Sequence, residues 1–178
     1  MNFPIRVPLT ALLLAAAPAA QAHIVFAEPQ APPGSYYAGF LRVSHGCDGA
    51  ATTAIRVSIP AAAESVKPQP KPGWTLSVER EPLPAPIKGE GGAEIRDRVV
   101  AVTWTGRLPA DQFDQFGIMM KLSAEASGPL YFPTVQQCGA NSIGWTGTPA
   151  AGEAWHSLKT PAPVLNVGAA PPAPHMQH

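Results

Sequence analysis

The sequence is short of charge. Only 13% of its 178 residues are charged, and its 12 basic side chains are cancelled by 12 acidic ones. A neutral chain lacks the electrostatic footprint expected of a nucleic-acid binder. Cysteine is scarce as well, with only Cys47 and Cys138. There is no internal repeat and no glycine-rich phosphate loop, and no apolar run approaches the roughly 20 residues needed to span a bilayer. Proline and glycine, in contrast, are plentiful at 22 and 16 residues. Each breaks a helix interior, which argues against a helical bundle.

The apolar residues are unevenly spread. Met1–Thr10 carries one positive charge, Arg6, and is followed by the run Ala11–Ala17, then Pro18 and Ala20-Gln21-Ala22. This is the order of a cleavable secretory signal peptide: charged n-region, short apolar h-region, A-x-A cleavage site. Residues 1–22 are therefore expected to be removed, giving a periplasmic protein. An even cysteine count in an exported chain reads as one disulfide, Cys47–Cys138.

Cleavage after Ala22 makes His23 the first residue. An N-terminal histidine offers its α-amine and its Nδ1 to one ion, closing a six-membered chelate ring. Those groups have intrinsic pKa values near ~8 and ~6.5, so a Lewis-acidic metal displaces both protons readily. Nitrogen-rich ligation of this kind favours Cu(II) among first-row metals. The competing reading is that His23 merely fits a loosely specified +1 position.

From His23 onward the pattern is β. Short strands are expected at Ile24–Phe26, Tyr37–Val43, Thr52–Ile59, Ser65–Lys67, Trp74–Val78, Arg98–Thr105, Phe116–Leu122, Leu130–Val135, Asn141–Gly147 and Pro163–Val167. Tyr37, Gly39, Leu41 and Val43 share one face of their strand, and Val100, Val102 and Trp104 share one face of theirs. His45–Gly49 is a tight loop, Pro82–Gly92 an exposed loop or hairpin tip, and Asp111–Phe116 suits one helical turn. Pro133 marks an edge or a bulge. Short strands at turn-punctuated spacing predict an all-β chain folded as an antiparallel β-sandwich. The end of the chain, 168–178, cannot bury a core and reads as a disordered tail without a membrane anchor.

These residues carry a resemblance to the YcnI-like family of exported bacterial copper proteins. The matching features are His23-Ile24-Val25 after the cleavage site, the Gly34-Ser35-Tyr36 turn, and Arg42–Gly49 with its His45-Gly46-Cys47-Asp48. Ser65–Trp74, ending Lys71-Pro72-Gly73-Trp74, follows, then Tyr131–Cys138, Trp145 and Pro161–Leu165. Ser44 stands where the family more often has proline. The resemblance covers 23–167. It implies a sandwich related to cupredoxin-like and immunoglobulin-like folds, holding one Cu(II) through a single-histidine brace. The amine and Nδ1 would come from His23, and a carboxylate would complete the site. Asp48 is the first choice for it, Glu28 the reserve, and Trp145 would pack near the ion.

Each of these has an ordinary competitor. Asp48 suits a turn that caps its own backbone. Glu28 is too far along an extended strand to share an ion with His23, unless the chain turns at Pro29. Trp145 on its own suits a core, as do Trp74, Trp104 and Met119. His45 could add an imidazole, although loop histidines such as His45 and His156 are commonly just solvated. The tail residues His175, Met176 and His178 could catch copper in either oxidation state, or simply end the chain.

Three functional classes follow. The first is a Cu(II) carrier or buffer that serves another exported copper chaperone or a cuproenzyme, without turnover. The second is a copper-dependent oxidative enzyme, since lytic polysaccharide monooxygenases also use an N-terminal histidine brace. They need a second histidine, for which only His45 or His156 is available. The third is a metal-free interaction module.

Overall fold

The computed structural model describes residues 23–168. Twelve strands run in the order β1 (Val25–Phe26), β2 (Gln30–Ala31), β3 (Tyr36–Val43), β4 (Thr52–Ser58), β5 (Ala63–Pro68) and β6 (Thr75–Lys88). They continue as β7 (Glu94–Leu108), β8 (Asp114–Leu122), β9 (Gly128–Tyr131), β10 (Thr134–Cys138), β11 (Asn141–Trp145) and β12 (Val164–Val167). Alternation along β3 decides its placement. Tyr37, Gly39, Leu41 and Val43 are buried while their neighbours are exposed, so one face lies on the core and the other in water.

Three sheets result, ordered β1-β3-β8-β5, β11-β10-β4-β7-β6 and β2-β12-β9. All pairings are antiparallel except the parallel pair of β2 with β12. Trp104, Phe26, Phe116 and Phe132 are among the largest fully buried side chains. Their rings meet edge to face, Phe26 on Phe132 at 4.9 Å and Trp104 on Phe116 at 5.5 Å. Such pairs add about 0.5–1.5 kcal/mol beyond area burial. The buried Trp104 indole donates to the Gln69 carbonyl at 2.9 Å, so its one polar atom is satisfied.

Several local expectations are corrected. Leu130–Val135 is two strands rather than one: β9 belongs to the three-stranded sheet and β10 to the five-stranded one. Phe132 and Pro133 separate them, and Pro133, having no N–H, cannot continue a ladder. Pro82–Gly92 is mostly strand, since β6 runs to Lys88 and turns back only at 89–93. Asp111–Phe116 holds no helical turn: Pro109–Gln112 is a turn closed by Gln112 N–H on the Pro109 carbonyl, and β8 starts at Asp114.

Val100 does not join the buried face of β7. The register of β6 on β7 shifts between Glu79 and Arg80, and Val99, Ala101, Val102 and Trp104 are buried instead. A bulge of this kind reverses which side chains point inward. Met119 is 48% exposed, because Ile118 and Met120 take the inward positions of β8. Trp74 is only partly buried and packs against the core from its margin.

Candidate metal centre

β1 pairs with β3 in the register Val25 with Arg42 and Phe26 with Leu41. Continued two residues outward, this register brings His23 level with Ser44, one residue before His45. The β-sheet thus carries the start of the described chain to the loop that follows β3.

That loop is tightly held. Cys47 and Ala50 form an isolated antiparallel bridge, with Ala50 N–H on the Cys47 carbonyl at 2.8 Å and Cys47 N–H on the Ala50 carbonyl at 3.1 Å. Between them Asp48 and Gly49 both have positive φ, 48° and 81°. Two central residues with φ > 0 are what a two-residue hairpin loop needs, and Asp-Gly is a preferred pair there. Gly46 is fixed by proximity rather than by φ: a Cβ on it would lie 1.8 Å from the Ala50 carbonyl oxygen. The disulfide Cys47–Cys138 then ties the loop to the end of β10.

A buried glutamine joins this loop to the neighbouring strand. Gln136, fully buried in β10, donates from Nε2 to the His45 carbonyl at 2.7 Å and to the Thr52 hydroxyl at 2.8 Å. Its Oε1 accepts from the Trp145 indole at 3.0 Å. Every polar atom of the amide is engaged, so the loop of His45 and the ring of Trp145 are held as one unit.

His23 and His45 flank that ring. Their centroids lie 6.0 Å and 5.9 Å from that of Trp145, both in edge-on orientation. Trp155 meets His23 edge-on at 5.3 Å, its own indole anchored on the Ala162 carbonyl at 2.7 Å. His23 Nε2 is buried and has no hydrogen-bond partner. The His23 imidazole titrates below the ordinary 6.5, chiefly because burial penalises its cation and secondarily because His45 is near. Both effects favour the neutral ring, the form that ligates metals.

The other expected site residues lie differently. Asp48 is exposed at the tip of the Cys47–Ala50 turn, a placement that turn geometry accounts for. Glu28 follows the bend after β1 and its side chain is exposed; its carbonyl accepts from the Tyr37 hydroxyl at 2.5 Å. Burial, and then the Glu28 carboxylate, push the Tyr37 phenol up, which sets Glu28 beside Tyr37. Among the described residues no group of three or more His, Cys, Asp or Glu side chains is placed to hold a metal. His156 is exposed in the short turn Trp155–Ser157. His175, Met176 and His178 lie outside the described residues, as does the expected leader.

Sequence reasoning missed two residues here. Gln136 carried a usable signal, because it shares a strand face with Thr134 and Cys138 and so points inward. Trp155 carried none beyond its residue type. A cleft of about 830 Å³ lies elsewhere, between β5 and the β6–β7 hairpin, and none of the site residues lines it. No helix among the described residues is long and apolar enough to cross a membrane.

Comparison with known proteins bears on the fold more than on the site. Residues 23–167 match a family described as a domain of unknown function, DUF1775. Among solved structures, a protein from Nocardia farcinica described as uncharacterized, with an immunoglobulin-like fold, is 27% identical. The match covers 83% of this chain and 99% of that one, with a TM-score of 0.61. A type I cohesin, the seventh of ScaB from Pseudobacteroides cellulosolvens, is 12% identical; 88% of this chain and 97% of that one are covered, with a TM-score of 0.42. No curated protein matches.

Proposed function

The chain belongs to the DUF1775 family, and from that premise we propose that it is an exported Cu(II)-binding protein of the YcnI-like kind. It takes the ion through the amine and Nδ1 of His23 once the leader is removed, and it buffers copper or delivers it to another exported protein, without turnover. The observation that carries this reading is the setting of His23. A half-buried imidazole lies against two indoles, kept neutral, at the residue where an A-x-A cleavage site would create a free amine.

The donors fit that cargo. Neutral imidazole and amine nitrogens suit Cu(II), and the available cysteines are closed in a disulfide, so thiolate does not compete. The indoles of Trp145 and Trp155 act by exclusion. They wall one side of the ring, limiting access of water and of competing ligands. The disulfide accords with an oxidising compartment outside the cytoplasm.

Cu(II) titration of protein beginning at His23 tests the reading, beside protein carrying one extra residue before it. The extra residue replaces the free amine by an amide and is expected to lower affinity on the order of 100-fold or more. Equal affinity and identical spectra for the two forms would overturn the proposal.

A further inference from the structure

The loop histidine, His45, is partly buried and held in place rather than solvated. Its Nδ1 lies 2.6 Å from the Gly46 carbonyl oxygen. A carbonyl can only accept, so Nδ1 carries the proton and the lone pair of the neutral ring is on Nε2. A hydrogen bond from one imidazole nitrogen to a backbone carbonyl is the usual way a protein orients the other nitrogen toward a metal.

The backbone beneath it is equally constrained. Gln136 grips the His45 carbonyl, Gly46 admits no side chain, and Cys47 is cross-linked to β10. The restraints bring His45 to the same indole that His23 touches, each ring edge-on to Trp145.

We propose that His45 supplies a second imidazole, through Nε2, to the copper ion held by the amine and Nδ1 of His23. The inference rests on the reading of His23 as the copper-binding terminus. It replaces the carboxylate of a single-histidine brace by a third nitrogen, and it leaves Asp48 as a turn residue. Three neutral nitrogens also change what the site retains. A carboxylate is a hard donor and favours the oxidised ion, whereas a second imidazole keeps hold of the ion after one-electron reduction. The protein is thereby suited to pass copper in either oxidation state.

The test uses full-length processed protein loaded with one equivalent of Cu(II) from a weak glycine complex. Pulsed EPR counts the imidazoles on the ion by the quadrupole couplings of their remote nitrogens, and it needs no variant. Two imidazoles are expected in the native protein and one in His45→Ala, with Asp48→Asn unchanged. His45→Ala is also expected to lose on the order of 100-fold in affinity for Cu(I), measured against a chromophoric chelator. Circular dichroism and melting of the variant check that its fold is kept.

One imidazole in the native protein, or a spectrum unaltered by His45→Ala, overturns the role of His45 while leaving His23 in place. A spectrum altered by Asp48→Asn instead would restore the carboxylate and also overturn it. Failure of the native protein to bind Cu(II) at all overturns both readings.

Discussion

The neighbourhood of His23 and the β6–β7 hairpin use polar residues in opposite ways. Around His23 the polar groups are few and uncharged, and those of Gln136, Trp145 and Trp155 each have a partner while His23 Nε2 has none. Gln136 alone connects the His45 loop, Thr52 and Trp145. Along the hairpin they are numerous, exposed and charged. Arg80 pairs with Asp97 at 2.7 Å, Arg96 with Glu94 at 2.7 Å, and Arg98 with Glu81 at 2.6 Å. In a buried, low-dielectric setting a lost hydrogen bond costs the desolvation of its orphaned partner. On the surface, water replaces the lost partner and little changes. The first arrangement fixes positions; the second keeps a long, exposed hairpin soluble.

The largest expected effect lies on the covalent side of this contrast. Replacing both Cys47 and Cys138 by alanine releases a loop of 91 residues, and the chain-entropy account puts the cost at about 4–5 kcal/mol. Urea unfolding of the variant and the oxidised native protein measures it. A loss below about 1 kcal/mol would mean that Gln136 and the hairpin turn already hold the loop alone.

Gln136→Leu comes next. It strands the Trp145 N–H, the Thr52 hydroxyl and the His45 carbonyl in a buried setting, and about 2–4 kcal/mol of stability is expected to go. Tryptophan fluorescence should shift as the indole loses its acceptor. A neutral substitution here would erase the difference between the two regions.

On the hairpin, Arg80→Ala or Arg96→Ala should each cost less than about 1 kcal/mol, and the difference from native should shrink further in 1 M salt. A cost comparable to that of Gln136→Leu would show the hairpin to be as firmly built as the surroundings of His23. Neither change is expected to alter the proposed binding of Cu(II) to protein beginning at His23.

The smallest effect is a titration. His23 is held below 6.5 in the fold, first by burial and then by His45. The unfolded chain therefore binds more protons than the native one between the folded value and 6.5. Stability from this group is full above 6.5 and is lost as pH falls through the folded value. Imidazole proton shifts of metal-free protein, followed against pH, should show a His23 midpoint below 6.5. A midpoint above it would place His23 in water, away from the indoles.

The architecture was legible in the sequence where period and punctuation agreed. The alternation of Tyr37, Gly39, Leu41 and Val43, the β pattern of Thr52–Ile59 and the single disulfide all appear as expected. What failed depended on pairing across distance. No local signal shows that β9 leaves one sheet and β10 enters another, nor that a register shift against β6 buries Val99 in place of Val100. The site divides in the same way. His23 could be found from the cleavage pattern next to it, a purely local cue. His45 and Trp145 meet only because β10 and β11 fold beside the loop after β3, and their meeting is written in the partners of Gln136 rather than in any run of sequence.

The parallel pairing of β2 with β12 has a kinetic consequence. Asn166 N–H closes on the Pro29 carbonyl at 2.9 Å, across 137 residues of chain. The sheet of β2, β12 and β9 therefore waits for nearly the last described residues before it can form, and contacts of such separation are slow to close. A chain that emerges N-terminus first can pair β1 with β3 early, but it carries β2 without its sheet partner for almost the whole passage.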